Sequence, residues 1–173
     1  IASYADVTSF DASAGLVQQA IDAFGGLDIV VTCHGILRDR MIFNMTDEEW
    51  DAVIAVHLSG TFHVVRHAAG HMREQRKGRI ITFSSTTGLV GNPGQANYAY
   101  ANSSLDSIIR QRNARGDAGM SIQWGVIGDV GVLARANSKK SGGLQIFVPQ
   151  EIDSCLVELE KLLVLQNQVT LHI

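Results

Sequence analysis

The feature that most constrains this chain is an alternation of short apolar runs with longer segments of helical periodicity. Such runs are too short for stable helices, and their lack of polar alternation is typical of strands buried on both faces. We therefore predict strands at 27–33, 79–83, 120–125 and 168–173. Residues 1–7 are predicted to be the end of a further strand, which terminates at Asp6.

Helices are predicted between and after these strands, at 11–24, 46–75, 97–115 and 149–165. The second helix begins at a capping box, in which the side chains of Thr46 and Glu49 can pair with unbonded amides of the first turn. Because right-handed crossovers connect parallel strands, this order predicts an α/β fold. We expect a doubly wound parallel sheet with helices on both faces.

Charge and composition exclude several classes of function. Charged residues make up 18% of the chain and the formal net charge is −3, so no basic field favours nucleic acid or an anionic membrane surface. No apolar run reaches the ~18 residues of a membrane span, and the start lacks a signal-peptide pattern. The two cysteines make no disulfide framework, which predicts a reducing, cytoplasmic compartment.

The polar and glycine-rich stretches follow the predicted strands, at the edge where open parallel sheets bind ligands. Ser85 ends one strand, and Tyr98 and Asn102 share one face of the next helix because they are four residues apart. Converging serine and tyrosine hydroxyls suit a substrate carbonyl: serine holds the oxygen, and tyrosine protonates it as hydride reaches the carbon. The alternative is a structural serine at a strand end and a partly buried helix tyrosine.

Three motifs resemble those of the short-chain dehydrogenase/reductase superfamily. They are Ser-Thr-Thr-Gly at 85–88, Gly-Asn-Pro-Gly-Gln-Ala-Asn-Tyr at 91–98 and Thr-Cys-His-Gly at 32–35. The resemblance runs from about Tyr4 to the last strand and implies a Rossmann-like sheet.

The resemblance also implies roles for single residues. Tyr98 would be the general acid, Ser85 would bind the carbonyl oxygen, and Asn102 and His57 would be supporting polar groups. The implied cofactor site consists of Asp6, Val7, Thr32, Cys33, His34, Gly35, Gly125, Ile127 and Val130.

The two halves of the chain resemble different branches of the superfamily. Residues up to about Asn97 are similar to bacterial 3-oxoacyl reductases and peroxisomal-type hydroxyacyl dehydrogenases. Residues 97–103 and 122–131 resemble the ketoreductase domain of animal fatty acid synthases. Both branches act on acyl thioesters, so we expect a 3-oxoacyl or 3-hydroxyacyl substrate on an acyl carrier or CoA. We expect NADP(H) rather than NAD(H) as the cofactor. The expected compartment is the cytoplasm, and the peroxisome is the alternative.

The active-site lysine of the superfamily is missing. Most members carry it four residues after the tyrosine, where this chain has Asn102, and synthase-type ketoreductases carry it at the position of His57. A cation there lowers the phenol pKa, and a histidine is largely neutral above a pKa near 6.5. We therefore predict impaired catalysis. The alternative is a non-catalytic ketoreductase-like domain, or a fragment of a multidomain synthase.

No G-x-G-x-x-G motif opens a helix after a first strand. The glycines Gly88, Gly91 and Gly94 have a similar spacing, but they lead into the tyrosine loop. The first β-α-β unit, which binds pyrophosphate in this superfamily, is therefore expected before residue 1. Residues 1–173 are interpreted as a single partial dinucleotide-binding reductase domain that folds poorly alone.

A row of histidines, His63, His67 and His71, recurs every four residues on the long helix. Adjacent members could chelate a metal, but no glutamate completes an H-E-x-x-H motif, because Val64 stands in its place. We predict no metal site and interpret the row as a polar or interface face. In the resembled family this helix often packs against its copy, which predicts a homodimer through 46–75.

Overall fold

A parallel sheet of four strands forms the centre of the molecule. The computed structural model describes residues 1–116, 119–127, 149–164 and 171–172. The strands lie in chain order across the sheet, each parallel to its neighbour. They are β1 (Ile29–Thr32), β2 (Arg79–Ser85), β3 (Met120–Trp124) and β4 (Leu171–His172). The predicted parallel α/β sheet is therefore confirmed.

Helical segments connect the strands and cover both faces of the sheet. None of the helices in the described ranges has the length and apolar character needed to cross a bilayer. The segments are α1 (Phe10–Phe24), a 3₁₀ turn (Ile42–Asn44), α2 (Asp47–Ile54), a π-helical turn (Ala55–Gly60), α3 (Thr61–Glu74), α4 (Thr87–Val90), α5 (Ala96–Ala114) and α6 (Ile152–Val164).

Successive residues of β2 point to opposite faces and divide the core into two clusters. Ile80 joins Val30 and the buried side chains of α1 and α3. Ile81 joins Ile122, Trp124 and the buried side chains of α6. Because side chains alternate along a strand, the two clusters lie on the two faces of the sheet. Trp124 is thus a core residue, stacked on Phe83 with ring centroids 5.1 Å apart.

The long helix predicted over 46–75 is divided in the structure. It begins at the predicted capping box, where the Glu49 amide donates to the Thr46 hydroxyl (3.2 Å) and the Thr46 amide to the Glu49 carboxylate (3.0 Å). A π-helical turn, Ala55–Gly60, then separates α2 from α3. Such turns insert an extra residue and are frequent at functional sites. Here the inserted turn carries His57.

The strand predicted over residues 1–7 is not present. No described strand pairs with this segment, so its backbone lacks the ladder partners that a strand needs. The side chains of Ile1 and Tyr4 are exposed. Gly88, the first glycine of the stretch that leads to Tyr98, lies within the short helix α4. Val130, one of the predicted cofactor residues, lies outside the described residues.

Asp106 links α5 to the sheet through buried polar contacts. Its side chain is 1% exposed and accepts hydrogen bonds from the Ser121 hydroxyl (2.5 Å) and the Gln123 amide. Ser121 and Gln123 share one face of β3, and Ser84 on the neighbouring strand donates to the Asn102 carbonyl of α5 (3.4 Å). These contacts hold α5 in one register along the sheet.

We predict that Asp106→Ala lowers the free energy of unfolding by about 2–4 kcal/mol, because it leaves two buried donors without an acceptor. Asp106→Asn should cost less. The Gln123 side chain can turn its amide, whose oxygen has no described partner, toward the new donor. Urea denaturation of both variants tests this. Equal losses for Ala and Asn would contradict the proposed hydrogen-bond origin.

Candidate active site

The structure brings Ser85 and Tyr98 together at the carboxyl edge of the sheet. Ser85 is the last residue of β2, and Tyr98 lies in the first turn of α5. The Ser85 side chain lies close enough to the phenol to lower the pKa of Tyr98. The Ser85 oxygen also accepts from the Thr87 amide (3.1 Å), which orients its proton away from the backbone. Two hydroxyls therefore converge on one point, as a carbonyl substrate would require.

The electrostatic surroundings keep the Tyr98 phenol neutral. Burial raises its pKa above the ordinary 10, and the nearby Asp39 carboxylate acts in the same direction. Hydrogen bonds from Ser85 and Asn102 lower the pKa, but the net shift is upward. Within the described part of the chain, none of the groups that set this pKa is a cation. Tyr98 can therefore hold and donate a proton, and its phenolate is disfavoured.

His57 packs against Tyr98 without supplying a charge. Its ring lies edge-on to the phenol, with centroids 4.9 Å apart and planes at 82°. Its Nε2 lies 3.0 Å from the Ile36 amide nitrogen and 2.8 Å from the Ile36 carbonyl oxygen. Burial lowers the pKa of His57, so the imidazole is neutral at pH 7. His57 thus links the phenol to the turn after β1 by packing and hydrogen bonding alone.

Gly35 makes this approach sterically feasible. A Cβ at position 35 would lie 2.4 Å from Cε1 of His57, closer than side-chain atoms can come. The glycine that ends the Thr-Cys-His-Gly motif therefore serves close packing of the turn against the π-helical turn.

The Asn102 side chain is hydrogen-bonded within its own helix. It is 1% exposed, and its Nδ2 donates to the Tyr98 carbonyl (2.7 Å). A neutral amide thus occupies the position where the resemblance expects a lysine. The structure places both candidate lysine positions, His57 and Asn102, beside Tyr98, and both side chains are neutral.

Val7 and His34, two predicted cofactor residues, both pack against Gly60. A Cβ at position 60 would lie 2.9 Å from Cγ2 of Val7 and 3.1 Å from Nε2 of His34. His34 also contacts the Thr61 hydroxyl at 3.5 Å, and burial, together with nearby His57, lowers its pKa. The close approach of Gly60 places the segment before α1 beside the turn after β1.

Asp6 is exposed and forms a tight turn with Thr8. Its carboxylate accepts from the Thr8 amide (2.9 Å) and the Thr8 hydroxyl (2.8 Å). These bonds hold the pKa of the carboxyl below its usual value. The second carboxylate oxygen remains accessible to an external donor, which fits a ligand hydroxyl.

The remaining predicted cofactor residues lie along the same edge. Thr32 ends β1 with a buried hydroxyl that has no partner among the described residues, and Cys33 beside it is an exposed free thiol. Gly125 follows β3, and Ile127 forms a parallel bridge with Gln150. An unpaired buried hydroxyl at this position fits a polar ligand group.

Asn97 has a positioning role that the sequence did not reveal. The side chain is fully buried; its Oδ1 accepts from the Tyr98 amide (2.7 Å), and its Nδ2 donates to the carbonyls of Arg38 (3.3 Å) and Glu49 (3.1 Å). It therefore ties the residue before the tyrosine to two other elements. An asparagine at a helix start was the available signal, but it does not predict these distant partners.

The parallel sheet with a serine, a tyrosine and a glycine turn at one edge defines a short-chain dehydrogenase/reductase. A family model described as "KR domain" matches residues 1–129. This chain belongs to that family of ketoreductase domains. The superfamily resemblance seen in the motifs is thereby confirmed.

Individual relatives agree with this assignment. The chain is 54% identical over 92 residues to the hydroxyacyl-CoA dehydrogenase ChsB1 of Mycobacterium tuberculosis, covering 49% of this chain and 29% of that protein. It is 43% identical over 94 residues to the 3-oxoacyl-[acyl-carrier-protein] reductase FabG of Staphylococcus aureus, covering 54% and 38%. A short-chain dehydrogenase structure from Mycobacterium avium matches with a TM-score of 0.65 and 41% identity, covering 72% of this chain and 46% of that one. The chain thus spans less than half the length of these proteins.

We predict that stability falls as the pH drops below about 6.5. Burial lowers the pKa of His34 and His57, so the unfolded chain binds protons more readily than the folded one. Their contribution is therefore complete above pH 6.5 and is lost as the pH falls through the folded pKa values. Urea denaturation between pH 5 and 8 measures this. His57→Asn should flatten the acid limb, and parallel curves for the two proteins would contradict the prediction.

Proposed function

We propose that this chain is part of a nicotinamide-dependent ketoreductase that acts on 3-oxoacyl or 3-hydroxyacyl thioesters carried by an acyl carrier or CoA. The observation that carries the proposal is the proximity of the Ser85 and Tyr98 side chains at the carboxyl edge of the sheet. The names of the relatives support the substrate class, since they include a hydroxyacyl-CoA dehydrogenase and a 3-oxoacyl reductase.

In this proposal the two hydroxyls divide the work on the substrate carbonyl. The Ser85 hydroxyl, positioned by the Thr87 amide, donates a hydrogen bond to the carbonyl oxygen. A bound nicotinamide cofactor supplies the hydride. Tyr98 transfers its phenolic proton to the same oxygen, so that the C=O bond becomes CH–OH. His57 and Asn102 keep the phenol in place.

The cofactor would lie along the edge already described. Asp6 and Val7 would contact its adenine end, the Thr32–Gly35 turn would line its middle, and Gly125 and Ile127 would close the other side. Val130, outside the described residues, stays a predicted cofactor contact. The unpaired Thr32 hydroxyl and the accessible Asp6 oxygen fit a ligand rich in hydroxyl groups. NADP(H) is proposed over NAD(H), because the resembled reductases act in synthesis. The cytoplasmic compartment stays a prediction.

The neutral surroundings of Tyr98 make impaired turnover part of this proposal. An adjacent cation typically lowers a phenol pKa by roughly 1–3 units, which corresponds to about 1.4–4 kcal/mol. His57 and Asn102 supply no such charge, and burial raises the pKa of Tyr98. The phenolate left after proton transfer is therefore poorly stabilised.

The same observation favours a second candidate function. A domain that keeps the fold and the cofactor edge but lacks the charge could serve a multidomain synthase as a non-catalytic structural unit. Cofactor binding without turnover would identify this case.

We predict that Asn102→Lys or His57→Lys raises kcat for reduction of an acetoacetyl thioester by about 10–1000-fold, the factor corresponding to 1–3 pKa units. NADPH oxidation by the full protein that contains this segment measures the effect. Tyr98→Phe in each background is the matched control and should abolish the gain. A parent that already turns over well, with no gain from either lysine, would overturn the account of the missing charge.

We further propose a homodimer that uses the outer faces of α3 and α5. Phe62 on α3 and Tyr100 and Ile108 on α5 are large apolar side chains that remain 50–57% exposed. Exposed apolar side chains on neighbouring helices are typical of protein–protein contacts. The contact would involve the long helical region predicted for this role.

We predict that Ile108→Glu shifts the protein from dimer to monomer, because a charge would be buried in the contact. Sedimentation velocity measures the change. Leu156→Glu, at a similarly exposed position on α6, is the matched control and should leave the dimer intact. A monomeric parent, or equal effects of the two variants, would count against this surface.

A further inference from the structure

Two histidines of α3 reach across to the start of α1 and to the segment that precedes it. Nδ1 of His63 lies 3.0 Å from the Val7 carbonyl oxygen, and Nε2 of His67 lies 3.1 Å from the Phe10 carbonyl oxygen. The partners are separated by 56 and 57 residues along the chain. Because a carbonyl oxygen only accepts, both rings must donate. His63 therefore carries its proton on Nδ1, and His67 carries its proton on Nε2.

Ring packing reinforces the two hydrogen bonds. The Phe10 ring lies edge-on to His63, with centroids 5.4 Å apart, and tilted against His67 at 4.3 Å. The Val7 carbonyl receives a second hydrogen bond from the Ser13 hydroxyl (3.3 Å). Val7 and Phe10 of the same chain therefore cover the face of α3 that carries His63 and His67. In the described ranges, no group of three side chains could hold a metal ion.

The segment before α1 depends on these contacts for its position. It pairs with no strand in the described part of the sheet, so no ladder of backbone hydrogen bonds fixes it. Its tight turn is internal: the Asp6 carboxylate binds Thr8, and the Ser9 amide donates to the Asp6 carbonyl (3.0 Å). The imidazoles and the packing of Val7 on Gly60 connect that turn to α3 and the π-helical turn.

We propose that His63 and His67 are positioning residues that hold the Asp6–Val7 turn where the adenine end of a nicotinamide cofactor binds. The proposal rests on the proposed reductase function. Neither imidazole touches the cofactor in this arrangement. His63 acts through the Val7 carbonyl of the segment, and His67 acts through the carbonyl of Phe10, the first residue of α1. Cofactor affinity therefore responds to their loss, and the chemical step does not.

The chain offers matched variants for a test. His63→Leu with His67→Leu removes both donors and keeps apolar bulk. His63→Asn with His67→Gln restores them, because the amide nitrogens of Asn and Gln can occupy the places of Nδ1 and Nε2. His71→Leu is the control: its Nε2 lies 4.0 Å from where a Cβ on Gly26 would stand, beyond the other end of α1.

The first measurement is cofactor affinity of the full protein, by NADPH fluorescence titration and by KM for NADPH. We expect the double Leu variant to raise the Kd and the KM for NADPH by about tenfold, the factor for two lost hydrogen bonds. Its kcat at saturating NADPH should stay within about twofold of the parent value. The Asn/Gln variant and His71→Leu should keep the parent values. Unchanged affinity, a fall in kcat alone, or an equal effect of His71→Leu would overturn the proposal.

A second measurement is independent of cofactor binding. Nitrogen-15 NMR of the imidazoles should show the Nδ1–H form for His63 and the Nε2–H form for His67. Hydrogen exchange at the Ser9 amide should accelerate in the double Leu variant and recover in the Asn/Gln variant. If the parent binds no nicotinamide cofactor, the proposed function fails, while these signals still show whether the histidines hold the turn. Unchanged Ser9 exchange would overturn the positioning role.

Discussion

The site depends on the register of α5 against the sheet. A helix moves as a rigid body, with a rise of 1.5 Å per residue, so a shift of α5 by one residue would carry Tyr98 out of reach of Ser85. Asp106, two turns further along the helix, is joined to Ser121 and Gln123 in the core. A buried polar contact has one good geometry, whereas apolar packing tolerates small slides. A structural interaction distant from the chemistry thus sets the distance at which the two hydroxyls meet.

Geometry and charge are separable in this molecule. His57 packs edge-on against the phenol, and Asn102 lies one turn away and donates to the Tyr98 carbonyl, so both side chains flank the tyrosine. Neither group supplies a positive charge, since one is a buried neutral imidazole and the other an amide. Packing orients a proton donor, whereas a nearby cation or a hydrogen bond to the ionised form makes its loss of a proton easier. The packing around the phenol is therefore kept without a cation among the groups that set its pKa.

Local patterns predicted the parts of the structure that local forces decide. Each of these parts is determined by a few neighbouring residues. They are the capping box at Thr46, the buried runs that form β1 to β3, and the spacing of Tyr98 and Asn102. The prediction of a strand at residues 1–7 was wrong. A strand forms only when a partner strand pairs with it, and no local sequence pattern reveals whether that partner is present. The π-helical turn and the reach of Asn97 to Arg38 and Glu49 likewise arise from contacts between distant segments.

The partners of Asn97 also bear on how two halves that resemble different branches can form one fold. Asn97 stands at the boundary of the resemblances, and its long-range hydrogen bonds all go to backbone carbonyls. A backbone acceptor is present whatever side chain its residue carries, so such contacts survive a change of sequence on the other side. A lysine beside the tyrosine has no such substitute. The contacts of Asn97 therefore do not depend on which side chains stand at positions 38 and 49, whereas a charge beside Tyr98 depends on a single side chain.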